Sequence, residues 1–223
     1  MSLQVVPLKV CHGPFRNFSY LAVDGESRGS FLVDPAWERG RIEDALDRAG
    51  SRCGFILLTH SHPDHVDLAD ALARERGIPV YLSRPEIERY RFDCANLRVL
   101  EEADRLPIGG AQVTPILTPG HTLGSMCFLC AGNLFTGDTL FAEGCGMCLG
   151  EGANPAALFH SLRKLKATIP PETRIFPGHS YGQPPGQTFA RLLGQNIYLQ
   201  FEKADDFVAY RMRSGQSGWA NFV

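Results

Sequence analysis

A short run of metal-binding residue types, His60, His62, Asp64 and His65, directly follows the apolar segment 55–58. An apolar run of this length is typical of a buried strand. His60 and His62 are two residues apart, so extended backbone would project both side chains to the same side, where they could bind one ion. Asp64 and His65 follow where the chain must turn, and they are expected to face a neighbouring position. The pattern therefore predicts ligands at the end of a buried strand.

Three further side chains of the same types stand at sharp turns after other predicted strands. They are His121 in Thr-Pro-Gly-His-Thr, Asp138 in Phe-Thr-Gly-Asp-Thr and His179 in Phe-Pro-Gly-His. Neutral imidazole and carboxylate suit Zn²⁺ or a similar first-row divalent ion such as iron or manganese. Five imidazoles and two carboxylates are more ligands than one ion needs. The sequence therefore predicts a dinuclear metal centre.

We divide these ligands between two adjacent sites. The first site is predicted from three imidazoles, those of His60, His62 and His121. A coordination position left open for water is typical of catalytic rather than structural zinc. The second site is predicted from one carboxylate and two imidazoles, those of Asp64, His65 and His179. Asp138 is the expected bridging ligand, because one carboxylate has two oxygens to share, and two ions roughly 3.5–4 Å apart can hold a hydroxide between them.

The rest of the chain predicts strands that alternate with helices. Strands are predicted at residues 5–11, 18–23, 30–33, 55–58, 79–82, 97–100, 111–117, 125–129, 133–136 and 173–176. Helices are predicted at residues 41–49, 68–76, 155–169 and 188–201, the third opened by an Asn154 cap and by Pro155. This order predicts an α/β sandwich with ligands on loops at one sheet edge. Residues 1–186 are predicted to form this domain, and residues 187–223 a helical C-terminal appendage packed on it.

The charge balance argues against nucleic acid or membrane as a partner. The chain has 22 Lys and Arg against 24 Asp and Glu, a net charge of -2, so it lacks the positive excess that nucleic acid or anionic lipid would select. No uninterrupted apolar run approaches the length of a membrane span. Residues 1–9 lack the basic-then-apolar order of a signal peptide. We therefore expect a cytoplasmic enzyme.

The seven cysteines raise the question of a zinc ribbon or a disulfide framework. Cys127 and Cys130 lie in a strand-like run, where alternation should send their side chains to opposite faces. Cys145 and Cys148 lie in a glycine-rich loop from which they could approach the metal centre. We interpret all of them as free thiols. The two histidines outside the ligand set, His12 and His160, are interpreted as structural or solvated.

At the ligand motifs the sequence resembles the metallo-β-lactamase superfamily, and most of all its glyoxalase II-like thioester hydrolases. The matching stretches are residues 59–65, 118–124, 135–146 and 175–181. The resemblance implies a four-layer αββα sandwich (the metallo-β-lactamase fold) with the metal site at one edge of its β-layers. It also implies ligand roles for the seven residues already singled out.

Two departures from the glyoxalase II pattern bear on the substrate. Members of that branch usually follow Gly-Cys-Gly with an arginine that helps to hold glutathione, whereas this chain has Met147. They also carry a longer helical C-terminal domain with further glutathione contacts. The stretch 144–152 looks more like the zinc hydrolases found with trans-acyltransferase polyketide synthases, which are thought to release stalled acyl groups from acyl carrier proteins. That resemblance implies a role in polyketide biosynthesis.

These observations lead to the hypothesis of a metal-dependent thioester hydrolase that holds two Zn²⁺ ions. The expected substrate is an acyl group on an acyl carrier protein, on CoA or on a small molecule, which makes an acyl carrier protein a candidate partner. A hydroxide between the ions would attack the carbonyl carbon, and Asp64 is the catalytic residue expected to orient it.

Four alternatives stay open at this point. A glutathione thioester hydrolase (glyoxalase II itself) and an iron-dependent persulfide dioxygenase both share the Gly-Cys-Gly stretch. A superfamily nuclease would use the same metal core, but the acidic charge balance disfavours it. A non-catalytic binding module is disfavoured because every expected ligand is present.

Overall fold

Two mixed sheets of six strands each form the centre of the computed structural model, which describes residues 3–215. The first sheet has its strands in chain order: β1 (Leu3–His12), β2 (Phe15–Asp24), β3 (Gly29–Val33), β4 (Arg52–Leu57), β5 (Val80–Ser83) and β6 (Leu97–Leu100). The second sheet has the spatial order β12-β11-β10-β9-β8-β7: β7 (Leu106–Ile108), β8 (Ala111–Leu117), β9 (Met126–Cys130), β10 (Asn133–Gly137), β11 (Arg174–Pro177) and β12 (Gln187–Thr188).

Both sheets combine hairpins with parallel crossovers. In the first sheet β1, β2 and β3 are antiparallel and β3 to β6 are parallel. In the second sheet β7 to β10 are antiparallel, β10 and β11 are parallel, and β12 is antiparallel to β11. The predicted hairpin between β9 and β10 is confirmed. Its turn residues Ala131 and Gly132 have φ of 45° and 74°, as a tight two-residue hairpin turn requires.

Helices cover the outer face of each sheet. They are α1 (Arg39–Ala49), α2 (Pro63–Val66), α3 (Ala69–Arg76), α4 (Arg84–Tyr90), α5 (Pro155–Thr168), α6 (Phe189–Gln195) and α7 (Ala204–Arg211), with a 3₁₀ turn at Ile197–Leu199. The Asn154 cap of α5 is confirmed, because the Asn154 side-chain oxygen accepts a hydrogen bond from the Ala157 N–H at 2.9 Å.

Alternation along the strands builds three apolar layers. On β2, Tyr20 and Ala22 face the second sheet, while Leu21 and Val23 face α1 and α3. The layer between the sheets is aromatic and includes Tyr20, Phe31, Phe128, Phe135 and Phe176. The outer side of the second sheet packs on α5, α6 and α7 through residues such as Leu158, Leu162, Phe189 and Phe207. The α/β sandwich with four layers in the order αββα is therefore confirmed.

Cys127 and Cys130 lie on opposite faces of β9, as strand alternation predicts. Cys127 joins the core under the helices, and Cys130 joins the core between the sheets.

The predicted helix at 188–201 is wrong, since α6 ends at Gln195 and α7 follows as a separate helix. The buried Asn196 side chain explains the break. Its amide nitrogen donates to the carbonyl oxygens of Phe141 at 3.0 Å and Gly144 at 2.9 Å, and its side-chain oxygen accepts from the Tyr198 N–H at 3.0 Å. An asparagine that makes these contacts cannot continue a regular helix. Helix α4 was also not predicted.

None of the helices within residues 3–215 has the length and apolar content needed to cross a membrane.

Candidate metal centre

All seven predicted ligand residues lie together at one edge of the two sheets. They follow the ends of four strands: His60, His62, Asp64 and His65 after β4, His121 after β8, Asp138 after β10, and His179 after β11. Their ligand atoms form three groups within which all atoms lie within 4.8 Å of one another.

The first of these groups, here called the three-imidazole group, consists of His60, His62 and His121. The His62 Nδ1 atom lies 3.1 Å from His60 Nε2 and 3.0 Å from His121 Nε2. Ligand nitrogens about 2.1 Å from a tetrahedral zinc ion are about 3.4 Å apart. The three nitrogens are therefore close to the spacing that one ion requires.

Another of these groups, here called the mixed group, consists of Asp64, His65 and His179, and the remaining group consists of His60, His65 and Asp138. Asp64 Oδ2 lies 3.6 Å from His65 Nε2 and 3.5 Å from His179 Nε2. The Asp64 side chain is 29% exposed, whereas those of His65 and His179 are 0% and 9% exposed. Asp64 is therefore the member of this group that is open to solvent.

Asp138 lies between the two groups and contacts members of both. Its Oδ1 atom is 3.4 Å from His65 Nε2, and its Oδ2 atom is 3.5 Å from His121 Nε2 and 3.4 Å from His179 Nε2. A single buried carboxylate thus faces both groups of imidazoles, which is the position that the sequence predicted for a bridging residue.

The imidazoles are turned toward this centre by hydrogen bonds at their other nitrogens. Four of the Nδ1 atoms contact buried or backbone oxygens: His60 with Thr59 Oγ1 at 3.0 Å, His65 with Asp34 Oδ2 at 2.9 Å, His121 with the Met147 carbonyl at 2.7 Å, and His179 with the Arg16 carbonyl at 2.9 Å. An Nδ1–H that donates to such an oxygen leaves Nε2 with a free electron pair for a metal.

The electrostatic environment differs between the two groups. Burial, together with the imidazoles of His65 and His121, lowers the pKa of His60 well below its usual value, and burial also lowers the pKa of His121. Burial acts in the same direction on His65, but the nearby carboxylates outweigh it and raise the pKa of His65 to about 10. Asp138 likewise raises the pKa of His179 against the effect of burial.

The charge state of Asp138 follows from the same contacts. Burial would raise the pKa of this carboxyl group, but the imidazoles of His179 and His65 hold it well below its usual range. Asp138 is therefore ionised inside the protein, where an anion needs a cation beside it.

Two buried atoms at the centre show that the site fits divalent cations. Within residues 3–215, His65 Nε2 and Asp138 Oδ1 have no hydrogen-bond partner, although buried polar atoms are normally paired. A Cβ atom at Gly178 would lie 2.5 Å from Asp138 Oδ1 and 2.6 Å from His65 Cε1. Glycine at this position therefore leaves room for both side chains. The donor set, imidazole and carboxylate, is one that zinc, iron and manganese all accept.

Asp34, which the sequence did not single out, supports the mixed group. It is buried at the end of β3, and besides His65 it accepts hydrogen bonds from the Thr59 N–H at 2.7 Å and the Thr59 hydroxyl at 2.6 Å. It thus joins the start of the His60–His65 loop to a ring of the centre. The sequence signal that could have identified Asp34 is an acidic residue directly after a predicted buried strand.

Glu86, also not singled out, supports the three-imidazole group. This fully buried carboxylate in α4 accepts hydrogen bonds from the Ser61 N–H at 2.9 Å and the Ser61 hydroxyl at 2.8 Å. Its other oxygen accepts from the Thr122 hydroxyl at 2.8 Å and the Gly124 N–H at 3.0 Å. It therefore ties the loop of His60 and His62 to the loop of His121. The sequence signal that could have identified Glu86 is Ser-Arg-Pro-Glu at 83–86, a capping-box pattern that begins a helix.

Asn17 in β2 is a third supporting residue, and no sequence signal marked it. Its side-chain nitrogen donates to the Asp64 carbonyl and, at 3.2 Å, to Asp64 Oδ2. This contact orients the exposed carboxylate toward the centre.

An open cavity of about 1200 Å³ leads to the centre and is lined by His62, Asp64, His121, Asp138 and His179. His12 also lines this cavity while its side chain is exposed, and His160 lies exposed on α5. Cys145 reaches the cavity wall. Arg211 of α7 donates a hydrogen bond from Nε to the Gly146 carbonyl at 2.8 Å. A guanidinium from the C-terminal segment therefore contacts the loop in which Met147 replaces the expected arginine.

Comparisons with known proteins agree with this architecture. The family model described as the metallo-beta-lactamase superfamily matches residues 12–179. The chain is 44% identical over 219 residues to the probable polyketide biosynthesis zinc-dependent hydrolase BaeB of Bacillus velezensis, a match that covers 98% of this chain and 97% of the relative. It is 39% identical over 222 residues to the probable polyketide biosynthesis zinc-dependent hydrolase PksB of Bacillus subtilis, covering 100% of this chain and 99% of the relative.

Two further matches extend the comparison. The hydroxyacylglutathione hydrolase of Brucella ovis is 40% identical over 169 residues, which are 75% of this chain and 63% of that protein. The crystal structure of TTHA1623 in a di-iron-bound form is similar with a TM-score of 0.72 and 31% identity, over 87% of this chain and 100% of that chain. The fold, the ligand motifs and these matches lead to one conclusion: the chain belongs to the metallo-beta-lactamase superfamily.

Proposed function

We propose that this protein is a metal-dependent hydrolase that cleaves the thioester of an acyl group carried by an acyl carrier protein or by CoA. The observation that carries the proposal is the position of Asp138, an ionised carboxylate that faces both groups of imidazoles. The names of BaeB and PksB, which describe zinc-dependent hydrolases, support the metal-dependent part of the proposal.

The residues suggest two ions. The three-imidazole group would hold one ion, the mixed group would hold the other, and Asp138 would contact both. Zinc is the first choice because of the names of the two relatives, while the di-iron form of TTHA1623 shows that a related protein holds two iron ions. Divalent ions held here would lower the pKa of water and polarise a carbonyl group.

The protein's own groups would bind and orient the reactants. Asp64 is half-buried and is the more accessible carboxylate of the centre, and Asn17 donates a hydrogen bond to its Oδ2 atom. Its open position suits it to accept a proton from the water that attacks the thioester carbonyl. The rings of His65, His121 and His179 are fixed by the contacts of their Nδ1 atoms, so these rings need little reorganisation during reaction.

Two features favour a carrier-bound acyl group over glutathione. The relatives named for polyketide biosynthesis match along nearly their whole length, whereas the Brucella hydroxyacylglutathione hydrolase matches along only 63% of its own. The cavity of about 1200 Å³ exceeds the roughly 300–1,000 Å³ of ordinary small-molecule pockets. It offers room for an acyl group together with the long pantetheine arm that CoA and carrier proteins share.

A thioester panel with metal analysis on the same preparation tests the proposal. We expect about two zinc ions per chain and metal-dependent release of free thiol from acyl-carrier, acyl-CoA and acyl-N-acetylcysteamine thioesters. S-lactoylglutathione at matched concentration should react more slowly than the carrier-bound substrates. Loaded protein that releases no thiol from any member of the panel would refute the proposal.

Glutathione thioester hydrolysis is the second candidate, supported by the 40% identity to the Brucella enzyme. Faster turnover of S-lactoylglutathione than of acyl-carrier substrates would favour it. A single bound iron together with oxygen uptake on addition of glutathione persulfide would instead indicate a dioxygenase.

A further inference from the structure

Trp37, in the segment between β3 and α1, has a backbone conformation that bulky residues rarely adopt. Its φ is 57°, in the left-handed region that favours glycine. Other non-glycine residues with positive φ within residues 3–215 are Arg28, Asp34, Arg91, Asn96 and Ala131, so Trp37 is the aromatic member of this set. Backbone strain that persists at a large side chain is a sign of a functional constraint.

Trp37 is fixed from two sides. Its backbone N–H donates to Asp67 Oδ2 at 3.1 Å, two residues beyond His65 of the mixed group. On the other side its indole ring lies against the His12 ring, with centroids 5.9 Å apart. The next residue, Glu38, accepts a hydrogen bond from the Cys11 N–H at 2.9 Å. The strained segment is thus held between the metal-centre loop and the end of β1.

The position of Trp37 places it on the cavity that leads to the centre. Trp37 lines this cavity together with Phe15, His12 and Pro63, and we call these four residues the indole wall. The wall is mainly apolar and lies next to Asp64 through Pro63. Trp37 is half-buried: it packs partly against the apolar core on the outer side of the first sheet, and it also lines the cavity, where it can contact substrate.

Another part of the cavity lining has a different chemistry. Tyr198, Tyr210, Arg211 and Arg213 line it from the C-terminal segment. The Arg213 guanidinium lies 3.8 Å above the Tyr210 ring, and its NH1 atom donates to the Tyr198 hydroxyl at 3.4 Å. This part of the lining is polar and positively charged, in contrast to the indole wall.

We propose that the indole wall is the acyl-binding subsite and that the enzyme selects apolar acyl groups of several carbons. The inference rests on the proposed function and specifies its substrate class. A thioester whose carbonyl lies at the metal centre extends in two directions, with the acyl chain on one side and the pantetheine arm on the other. The pantetheine arm is polar and ends in a phosphate, which suits the tyrosines and guanidinium groups, whereas an alkyl chain gains most by leaving water against the indole wall.

Steady-state kinetics with acetyl and hexanoyl thioesters of CoA test this assignment. Each methylene buried against the wall contributes a factor of about four to binding. We expect Trp37→Gly to lower the ratio of kcat/KM for hexanoyl over acetyl by about tenfold or more. Trp37→Phe should retain most of the ratio, because phenylalanine keeps an apolar ring. His12→Ala should lower the ratio less than Trp37→Gly does.

Arg91→Gly is the matched control. Arg91 also has positive φ, 51°, and it is exposed at the end of α4, outside the cavity lining. The substitution relieves the same kind of backbone strain without removing a side chain from the cavity, so the hexanoyl-to-acetyl ratio should match that of the natural protein. Equal loss for both substrates in Trp37→Gly, or an unchanged ratio, would overturn the assignment.

Binding of unreactive thioethers separates this inference from the proposed function. Calorimetry with S-hexyl-CoA and S-ethyl-CoA should show tighter binding of the hexyl compound by metal-loaded protein, and Trp37→Gly should abolish most of that preference. If the preference depends on Trp37 but no thioester is hydrolysed, only the proposed function fails. If thioesters are hydrolysed and binding shows no preference for the hexyl chain, the acyl-subsite assignment fails alone.

Discussion

The three-imidazole group and the mixed group face each other across Asp138, yet they are built differently. Burial lowers the pKa of His60 and of His121 in the first group. Carboxylates raise the pKa of His65 and His179 in the second group. The carboxylates beside His65 and His179 thus outweigh the effect of burial on these rings, which they do not do at His60 and His121.

Each group has a different buried carboxylate outside the ligand set as its main support. Glu86 joins the loops of the three-imidazole group, and Asp34 joins a ring of the mixed group to the backbone at Thr59. Asp34 also reaches the three-imidazole group, because the Thr59 hydroxyl that it binds lies 3.0 Å from His60 Nδ1, so the supports of the two groups are partly separate. Substitutions that affect both groups, or only one, can test this separation.

The largest effect is expected from Asp138→Asn, because this side chain contacts both groups. Loss of the anionic charge should reduce occupancy of both ion positions and lower the rate of thiol release by about 10³-fold, since metal stabilisation of a transition state is worth several kcal/mol. Metal analysis and thioester kinetics measure the two effects. Loss of a single ion with the other fully retained would show that Asp138 serves one group only.

A smaller and one-sided effect is expected from Asp34→Asn. An asparagine amide places an N–H₂ group among donors from Thr59 and His65, so His65 loses its orienting acceptor. Affinity for the ion of the mixed group should fall about 10–100-fold, and affinity for the first ion should fall less, because Asp34 reaches His60 only through Thr59. Competition with a chromophoric chelator measures both affinities. Asp44→Asn, at an exposed position on α1, is the control and should leave both unchanged.

Glu86→Gln is expected to weaken metal binding mainly at the three-imidazole group, the opposite preference to that of Asp34→Asn. The amide would oppose donors from Ser61, Thr122 or Gly124, which loosens the loops that carry the three-imidazole group. Affinity for that ion should fall about 10-fold, with the mixed group retained. Glu88→Gln on the exposed side of the same helix is the matched control. Equal weakening of both ions by Glu86→Gln would mean that the two supports are not separate.

The smallest effect is expected from Asn17→Ala, which removes hydrogen bonds to Asp64 but no ligand. A hydrogen bond to a charged group contributes about 1.5–3 kcal/mol, so kcat/KM should fall roughly tenfold or more while the metal content stays constant. A loss of metal in this variant would show that Asn17 holds the mixed group itself and not only the orientation of Asp64.

Much of the centre was predictable because each ligand stands at a strand end, and strand ends are visible in a sequence as apolar runs that stop at polar residues. His121, Asp138 and His179 were found in this way although they are far apart in the chain. The break at Asn196 was not predictable, since its side chain bonds to the distant carbonyls of Phe141 and Gly144. The boundary predicted between residues 186 and 187 stays a prediction.

The residue types and spacings of the sequence by themselves determined the layered α/β architecture and the seven candidate ligands, because periodicity and strand ends are local properties of the chain. Only the tertiary structure decided which side chains serve those ligands. Asp34, Glu86 and Asn17 act through contacts with residues from other segments, and no local pattern encodes a hydrogen bond between loops that meet only when both sheets have formed.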